Sequence, residues 1–220
     1  NVAPEAVITA GNSILGNSTL FDGSGSSDIN DDIVSYSWDF GDGTGANGAT
    51  VSHDFTNSGT VTVTLTVTDT FGASSSESVS VSIEGRPFKD FNNDGLFNFG
   101  DEIIPLYEFE DGKYDAKKVA IVFPVNTPDI SAKNLNIKAE GITVASRLVA
   151  IKDMKLDAKK GSIIASNSVL EAGKNLSLKA KNSIDITEAS IVAKDIKISA
   201  KTDLTAIDAT VTAQNEIELE

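Results

Sequence analysis

The feature that most constrains this 220-residue chain is a repeat in its second half. Apolar pairs Leu135/Ile137, Met154/Leu156, Leu176/Leu178, Ile196/Ile198 and Ile217/Leu219 recur at intervals of 19, 22, 20 and 21 residues. A second column reads "GITVAS", "SIIASN", "SIDITE" and "DLTAID", and a third reads "LVAIK", "VLEAG", "SIVAK" and "TVTAQ". Each unit of about 20 residues therefore carries three short alternating strands. A strand of three or four residues buries too little surface to stand alone. Stacking equivalents from successive units at about 4.8 Å gives each strand two neighbours and piles like residues inside. The pattern predicts a three-sided parallel β-helix over residues 119–220. Ala132, Ala139, Ala158, Ala180, Ala193 and Ala200 recur near strand ends, where the coil turns tightly. An antiparallel meander is disfavoured, because this stretch lacks the Asn-Gly and Asp-Gly pairs that two-residue hairpins prefer.

Residues 1–85 follow a different rule. "VTVTLTVTD" alternates strictly, placing Val61, Val63, Leu65 and Val67 on one face and threonines on the other. About seven such strands, linked by Gly, Ser, Asn and Asp turns, predict a small antiparallel sandwich. The stretch "SSDINDDIVSYSWDFGDGTG", followed by "VSHDFTNSGTVTVTLTVTD", resembles the PKD domain, an immunoglobulin-like sandwich of extracellular proteins. The resemblance implies a buried core Trp38, sharp turns at Gly41 and Gly43, and a packed, hydrogen-bonded structural role for His53, the only histidine. Some members bind calcium near the amino-terminal strand and an Asp-rich turn, which here means Asn1, Asp28, Asn30 and Asp32. Asp31 stands where the family commonly has Gly, so a solvated acidic turn is the expectation there.

Between the two lies "KDFNNDGLFNFGDE". Asp90, Asn92, Asp94, Leu96, Asn98 and Asp101 occupy positions one, three, five, seven, nine and twelve of one window, with Gly95 sixth. Alternate oxygens point inward as the chain curls, the glycine permits the bend, Leu96 offers its carbonyl, and an acidic residue closes the cage. A hard cation accepting six to eight oxygens suits that set, so these residues are predicted calcium ligands. The window resembles the calcium loop of dockerin modules. Only one loop is present, and "EIIPLYEFEDGKYD" follows in place of a helix, with Pro105 against helix continuation and a hairpin expected around Asp111-Gly112. A structural ion is therefore expected, in a linker over residues 86–118 that Phe88, Phe91, Phe97 and Phe99 seat on its neighbours.

Charge and composition narrow the function. Residues 1–85 carry eleven acidic side chains and no Lys or Arg, and the whole chain has net charge −14. Such a surface repels phosphate backbones, so no nucleic-acid partner is expected. Cysteine is absent, which removes disulfides and thiolate zinc sites, and no apolar run of 18 residues predicts membrane insertion. No Ser-His-Asp set is expected, because the resemblance gives His53, the only histidine, a structural role in the sandwich. Columns such as Asp153/Asn175/Asp195 and Lys138/Asp157/Lys179/Ser199 vary in charge from unit to unit, and no aromatic follows Phe123. Catalysis is not expected. The repeats resemble in style the β-helical shafts of secreted bacterial adhesins. The resulting expectation is an extracellular structural protein: a calcium-stiffened stalk, adhesin segment or filament subunit, with self-association by coil stacking and a glycan or cell-surface ligand as partners. The alternative is a carbohydrate-binding or polysaccharide-lyase-like β-helix module with a PKD spacer.

Overall fold

The computed structural model describes all residues except 31, 92–94, 96, 98–100, 110, 111, 117 and 118, and at residue 107 the backbone alone. The chain divides into two compact all-β units, Asn1–Glu84 and Gly85–Glu220.

In the first unit a five-stranded sheet runs in the order Ser13–Ile14, Ser74–Glu84, Gly59–Asp69, Ile33–Asp39, Gly45–Asn47. A three-stranded sheet of Thr9–Ala10, Ser18–Asp22 and Thr50–Asp54 supplies the other half of the core. Strand alternation sorts the side chains as predicted: Val63, Leu65 and Val67 are buried with Phe21, Trp38, Phe40, Phe55, Val81 and Ile83. Trp38 Nε1 donates to the Gly48 carbonyl at 2.8 Å, so its polar end is satisfied inside the core. The opposite face of the long hairpin carries hydroxyl rungs, Thr64–Ser78, Thr66–Ser76 and Thr68–Ser74, each 2.8–2.9 Å apart. Gly41 has φ +74°, and a Cβ there would lie 2.3 Å from the Thr62 carbonyl oxygen, so both turn and packing demand glycine.

The second unit is a parallel β-solenoid of about five turns. Its first face stacks Ala120–Phe123, Ile142–Val144, Ile163–Ile164, Ile184–Asp185 and Leu204–Thr205. A second face stacks Ile130–Ala132, Arg147–Ala150, Val169–Ala172 and the first halves of Ser190–Ala200 and Thr210–Leu219. The third stacks Leu135–Ala139, Met154–Ala158, Asn175–Ala180 and the second halves of those two long strands. Register matches the repeat residue for residue: Leu135, Met154, Leu176, Ile196 and Ile217 form one column, and Ile137, Leu156, Leu178, Ile198 and Leu219 the next. The outward column Asp115–Lys138–Asp157–Lys179 alternates in sign, so a slip by one coil would set like charges opposite each other. One corner is built from left-handed residues, Asn126, Asn167, Glu188 and Asp208, with φ between 52° and 56°.

Residues 86–118 differ from the expected separate linker. Phe88–Asp90 pairs antiparallel with Ala120–Phe123, and Glu102–Ile103 pairs antiparallel with Phe88–Asp90. Lys113–Asp115 pairs in parallel with Leu135–Ala139, while Ile104 and Phe109 join the solenoid core. The described strands of the segment thus belong to the first layer of the second unit. The hairpin expected around Asp111-Gly112 is also corrected: Leu106–Phe109 is a 3₁₀ turn, and Gly112 N–H donates to the Phe109 carbonyl. Phe109 packs 5.4 Å from Phe123 and 5.0 Å from Tyr114, and that aromatic burial outweighs the local turn signal.

Candidate metal centres

Strand pairing brings the two ends of the twelve-residue window together. Glu102 pairs with Lys89 and Ile103 with Phe88, and Asp101 immediately precedes that paired strand while Asp90 ends its partner. Asp90 is buried, and its Oδ2 accepts the Gly95 N–H at 2.8 Å. Asp101 Oδ1 accepts the Phe91 N–H at 3.0 Å. Gly95, at the sixth position, has φ +79°, the left-handed bend its place in the window requires. Phe97 packs edge-on against the buried Phe88 at 5.5 Å, tying the loop to the sheet. Four of the predicted ligands, Asn92, Asp94, Leu96 and Asn98, lie outside the described residues, as does Phe99. The first and last ligand positions are held together; the donor set that the sequence offers between them, oxygens only, fits calcium.

The first unit contains a second acidic centre. Asp28, Asp32 and Asp69 each present a carboxylate oxygen, all within 4.8 Å of one another. Oxygens on opposite sides of a calcium ion stand roughly 4.6–5.2 Å apart, twice its usual bond length, so the three carboxylates are close enough together to share one ion with small side-chain adjustments. Each carboxylate is partly satisfied by the protein. Asp28 Oδ1 accepts the Asn30 N–H at 2.8 Å, and Asp32 Oδ2 accepts the Thr70 hydroxyl at 2.7 Å. Asp69 Oδ1 accepts the Phe71 and Ala73 N–H groups, and its Oδ2 takes the Asn1 amide at 2.6 Å. The Asn1 hydrogen bond, then those backbone donors, hold the Asp69 carboxyl below the usual carboxylate range against the opposing effect of burial. Asp28 Oδ2 and Asp32 Oδ1 are buried and have no hydrogen-bond partner. A buried partnerless carboxylate oxygen is costly unless a cation meets it, so these residues fit a divalent ion.

His53 serves packing. Its ring stacks on Phe40 at 4.1 Å, meets Phe55 edge-on at 4.6 Å, and places Nε2 2.6 Å from Asp42 Oδ2. Burial raises the Asp42 carboxyl, yet the hydrogen bonds from Thr44 and His53 outweigh it and leave the group below its ordinary value. In the solenoid, the aligned turn residues Asp153 and Asn175 bond to each other, Nδ2 to Oδ1 at 2.7 Å, which is a lateral tie between coils.

Residues 1–83 match the family profile described as PKD domain. The PKD1 domain of Vibrio anguillarum Epp is 34% identical over an alignment covering 39% of this chain and 98% of that one, with TM-score 0.36. The chain belongs to the PKD-domain family through this unit. The PKD1 domain from Vibrio cholerae metalloprotease PrtV is 35% identical, covering 37% of this chain and 98% of that one, with TM-score 0.35. A structure described for carbohydrate-binding modules of the β-sandwich superfamily is 34% identical, covering 46% of this chain and 42% of that one, with TM-score 0.37. No curated protein matches the chain. Among the described residues, no helix is long and apolar enough to cross a membrane.

Within the PKD unit, the solvated acidic turn expected at Asp28 and Asp32 is corrected. Asp28 Oδ2 and Asp32 Oδ1 are buried, and Asp69, 37 residues beyond Asp32, brings a third carboxylate to them from the end of the long strand. The sequence reading named Asn1, Asp28, Asn30 and Asp32 but not Asp69. Its available signal was "VTDTFG", an Asp whose place in the alternation points inward among valines.

Proposed function

We propose that this is an extracellular structural chain without catalytic activity, in which calcium is the cofactor and each unit is stiffened by its own ion. In the PKD unit the ion is held by Asp28, Asp32 and Asp69, with Asn1 positioning Asp69. In the solenoid it is held by Asp90, Asn92, Asp94, Leu96, Asn98 and Asp101. The observation that carries the reading is the pair of buried, partnerless oxygens on Asp28 and Asp32. Support for the second site comes from the clasp of Asp90 and Asp101 around the Gly95 bend. Extracellular calcium fills even sites of about 10⁻⁴–10⁻³ M affinity, so modest ligand sets suffice there. A stalk, adhesin segment or filament subunit is the role this construction suits: inward columns are continuous while the aligned outward columns change chemistry from coil to coil. Self-association by coil stacking belongs to the same reading.

Hydrogen exchange tests it directly. The amides of Gly95, Phe91, Phe71 and Ala73 donate to the proposed ligand carboxylates, so calcium is expected to slow their exchange relative to chelator. Equal exchange in the two conditions contradicts the reading. The carbohydrate-binding alternative is favoured by a different observation, a groove on the solenoid.

A further inference from the structure

A groove of about 680 Å³ lies within the second unit, between the start of the loop 90–101 and the outer surface of the first face. Its floor is the outward column Val122, Thr143 and Ile164, registered across three adjacent coils. Outward positions on this face are not uniformly apolar: the next two in the column are Asp185 and Thr205. Ile164 is nevertheless 44% exposed and lines the groove. One wall is Phe91, a ring 55% exposed whose backbone is pinned by the Asp101 carboxylate at 3.0 Å. The other rim is made of corner residues from successive coils, Glu140, Lys160, Ser162 and Asn182.

The chemistry of these walls selects a class of ligand. Lys160 Nζ meets Glu140 Oε1 at 2.7 Å, so the cation on the rim is already matched by an acid. Asp90 adds negative charge, which disfavours an anionic guest. A peptide strand would need an open sheet edge to pair with, whereas the floor is a sheet face whose backbone bonds are spent within the coils. What remains is neutral: hydroxyls of Thr143 and Ser162, the amide of the exposed Asn182, and apolar surfaces on Phe91 and Ile164. A pyranose matches this mixture, since its C–H face packs on an aromatic or aliphatic surface while its rim exchanges hydrogen bonds with hydroxyls and amides. The groove also crosses coils spaced at about 4.7–4.9 Å, close to the length of one sugar ring in a linear chain. Its volume lies in the range of about 300–1,000 Å³ typical of small-ligand sites.

We propose that this groove binds a linear, neutral glycan, seating about one pyranose per coil over the two coils that carry Thr143 and Ile164. Phe91 stacks on one ring, Ile164 supports the next, and Ser162 and Asn182 take hydroxyls along the rim. The proposal rests on the carbohydrate-binding reading and gives it a place; it does not require the calcium reading to hold. The test is calorimetric titration of the full chain, in calcium-containing buffer, with hexasaccharides of β-linked glucose, xylose and N-acetylglucosamine, and with an oligogalacturonate as anionic control. At least one neutral hexasaccharide is expected to bind, the oligogalacturonate is not, and Phe91→Ala and Ile164→Asp are each expected to weaken binding about tenfold. Both side chains are exposed, and an unchanged melting temperature verifies that each variant folds. Three results would overturn the proposal: no neutral hexasaccharide binds at millimolar concentration, neither substitution changes the affinity, or the anionic oligomer binds better. Failure of the calcium reading is seen separately, in titrations with the metal alone.

Discussion

Replacing Asp32 by Asn is expected to change the PKD unit in opposite directions with and without calcium. Asp28, Asp32 and Asp69 present oxygens within 4.8 Å of one another, and two unit charges at that distance repel by about 3.5 kcal/mol at an effective dielectric of ~20. Salt and partial exposure reduce the relief for an Asp28–Asp32 pair to something on the order of 1–2 kcal/mol. The asparagine keeps an oxygen for the Thr70 hydroxyl and adds an amide donor to a cluster that holds the partnerless Asp28 Oδ2. In chelator, therefore, the variant is expected to melt above the wild type, by about 4–8 °C for each kcal/mol in a unit of this size. Calcium reverses the order. At ten to a hundred times its dissociation constant the ion stabilises the wild type by about 1.4–2.7 kcal/mol, and the variant, short of one charged ligand, gains little. Differential scanning calorimetry in chelator and in millimolar calcium reads both arms. A variant that melts below the wild type in chelator, and rises with calcium as much as the wild type does, would refute the reasoning.

Two further outcomes follow from local geometry and titration. Glu188 is exposed and sits at φ 56°, a backbone region that costs an L-residue roughly 1–2 kcal/mol and that Asn tolerates better, so Glu188→Asn should stabilise the solenoid by about 0.5–1 kcal/mol in denaturant unfolding; a loss of stability contradicts the corner assignment. Hydrogen bonds from Ser24 hold the Asp22 carboxyl below its ordinary value, Asn1 does so for Asp69, and the Thr187 backbone N–H does so for Asp185. A depressed folded value adds stability above the unfolded carboxylate pKa of about 3.9, lost as pH falls through the folded values. Melting temperature in saturating calcium, where the ion offsets the repulsion among Asp28, Asp32 and Asp69, should accordingly hold from neutral pH to about pH 5 and decline below about pH 4, and a rise on acidification contradicts the assignment.

How much of this was readable beforehand depended on whether the signal was periodic. The solenoid columns were legible because stacking forces Leu135, Met154, Leu176, Ile196 and Ile217 to share one environment, and a shared environment leaves a repeated residue type. Residues 86–118 left no such trace. Phe88–Asp90 and Glu102–Ile103 are strands of three and two residues that occur once, so nothing in their spacing announced that they extend the solenoid sheet. Asp69 escaped because its partners are brought to it by the sandwich, across 37 residues from Asp32, while the turn motif it belongs to also explains itself locally through bonds to Phe71 and Ala73. The groove was hidden for a similar reason. Phe91 reads as one ring among several flanking the predicted ligands, and only the pairing of Phe88–Asp90 with Ala120–Phe123 carries it above Thr143 and Ile164. Glu188 shows the converse: propensity argues against a glutamate at a left-handed corner, and the stacked coils impose it.

Calorimetric titration of the full chain with calcium chloride bears most directly on the claim that the ion is a structural cofactor in both units. The account predicts two ions bound per chain. Asp32→Asn should abolish one binding event and Asp94→Ala the other, leaving the remaining site unchanged in each case. Absence of binding heat accompanied by an unshifted melting curve, or two variants that both titrate like the wild type, would contradict it.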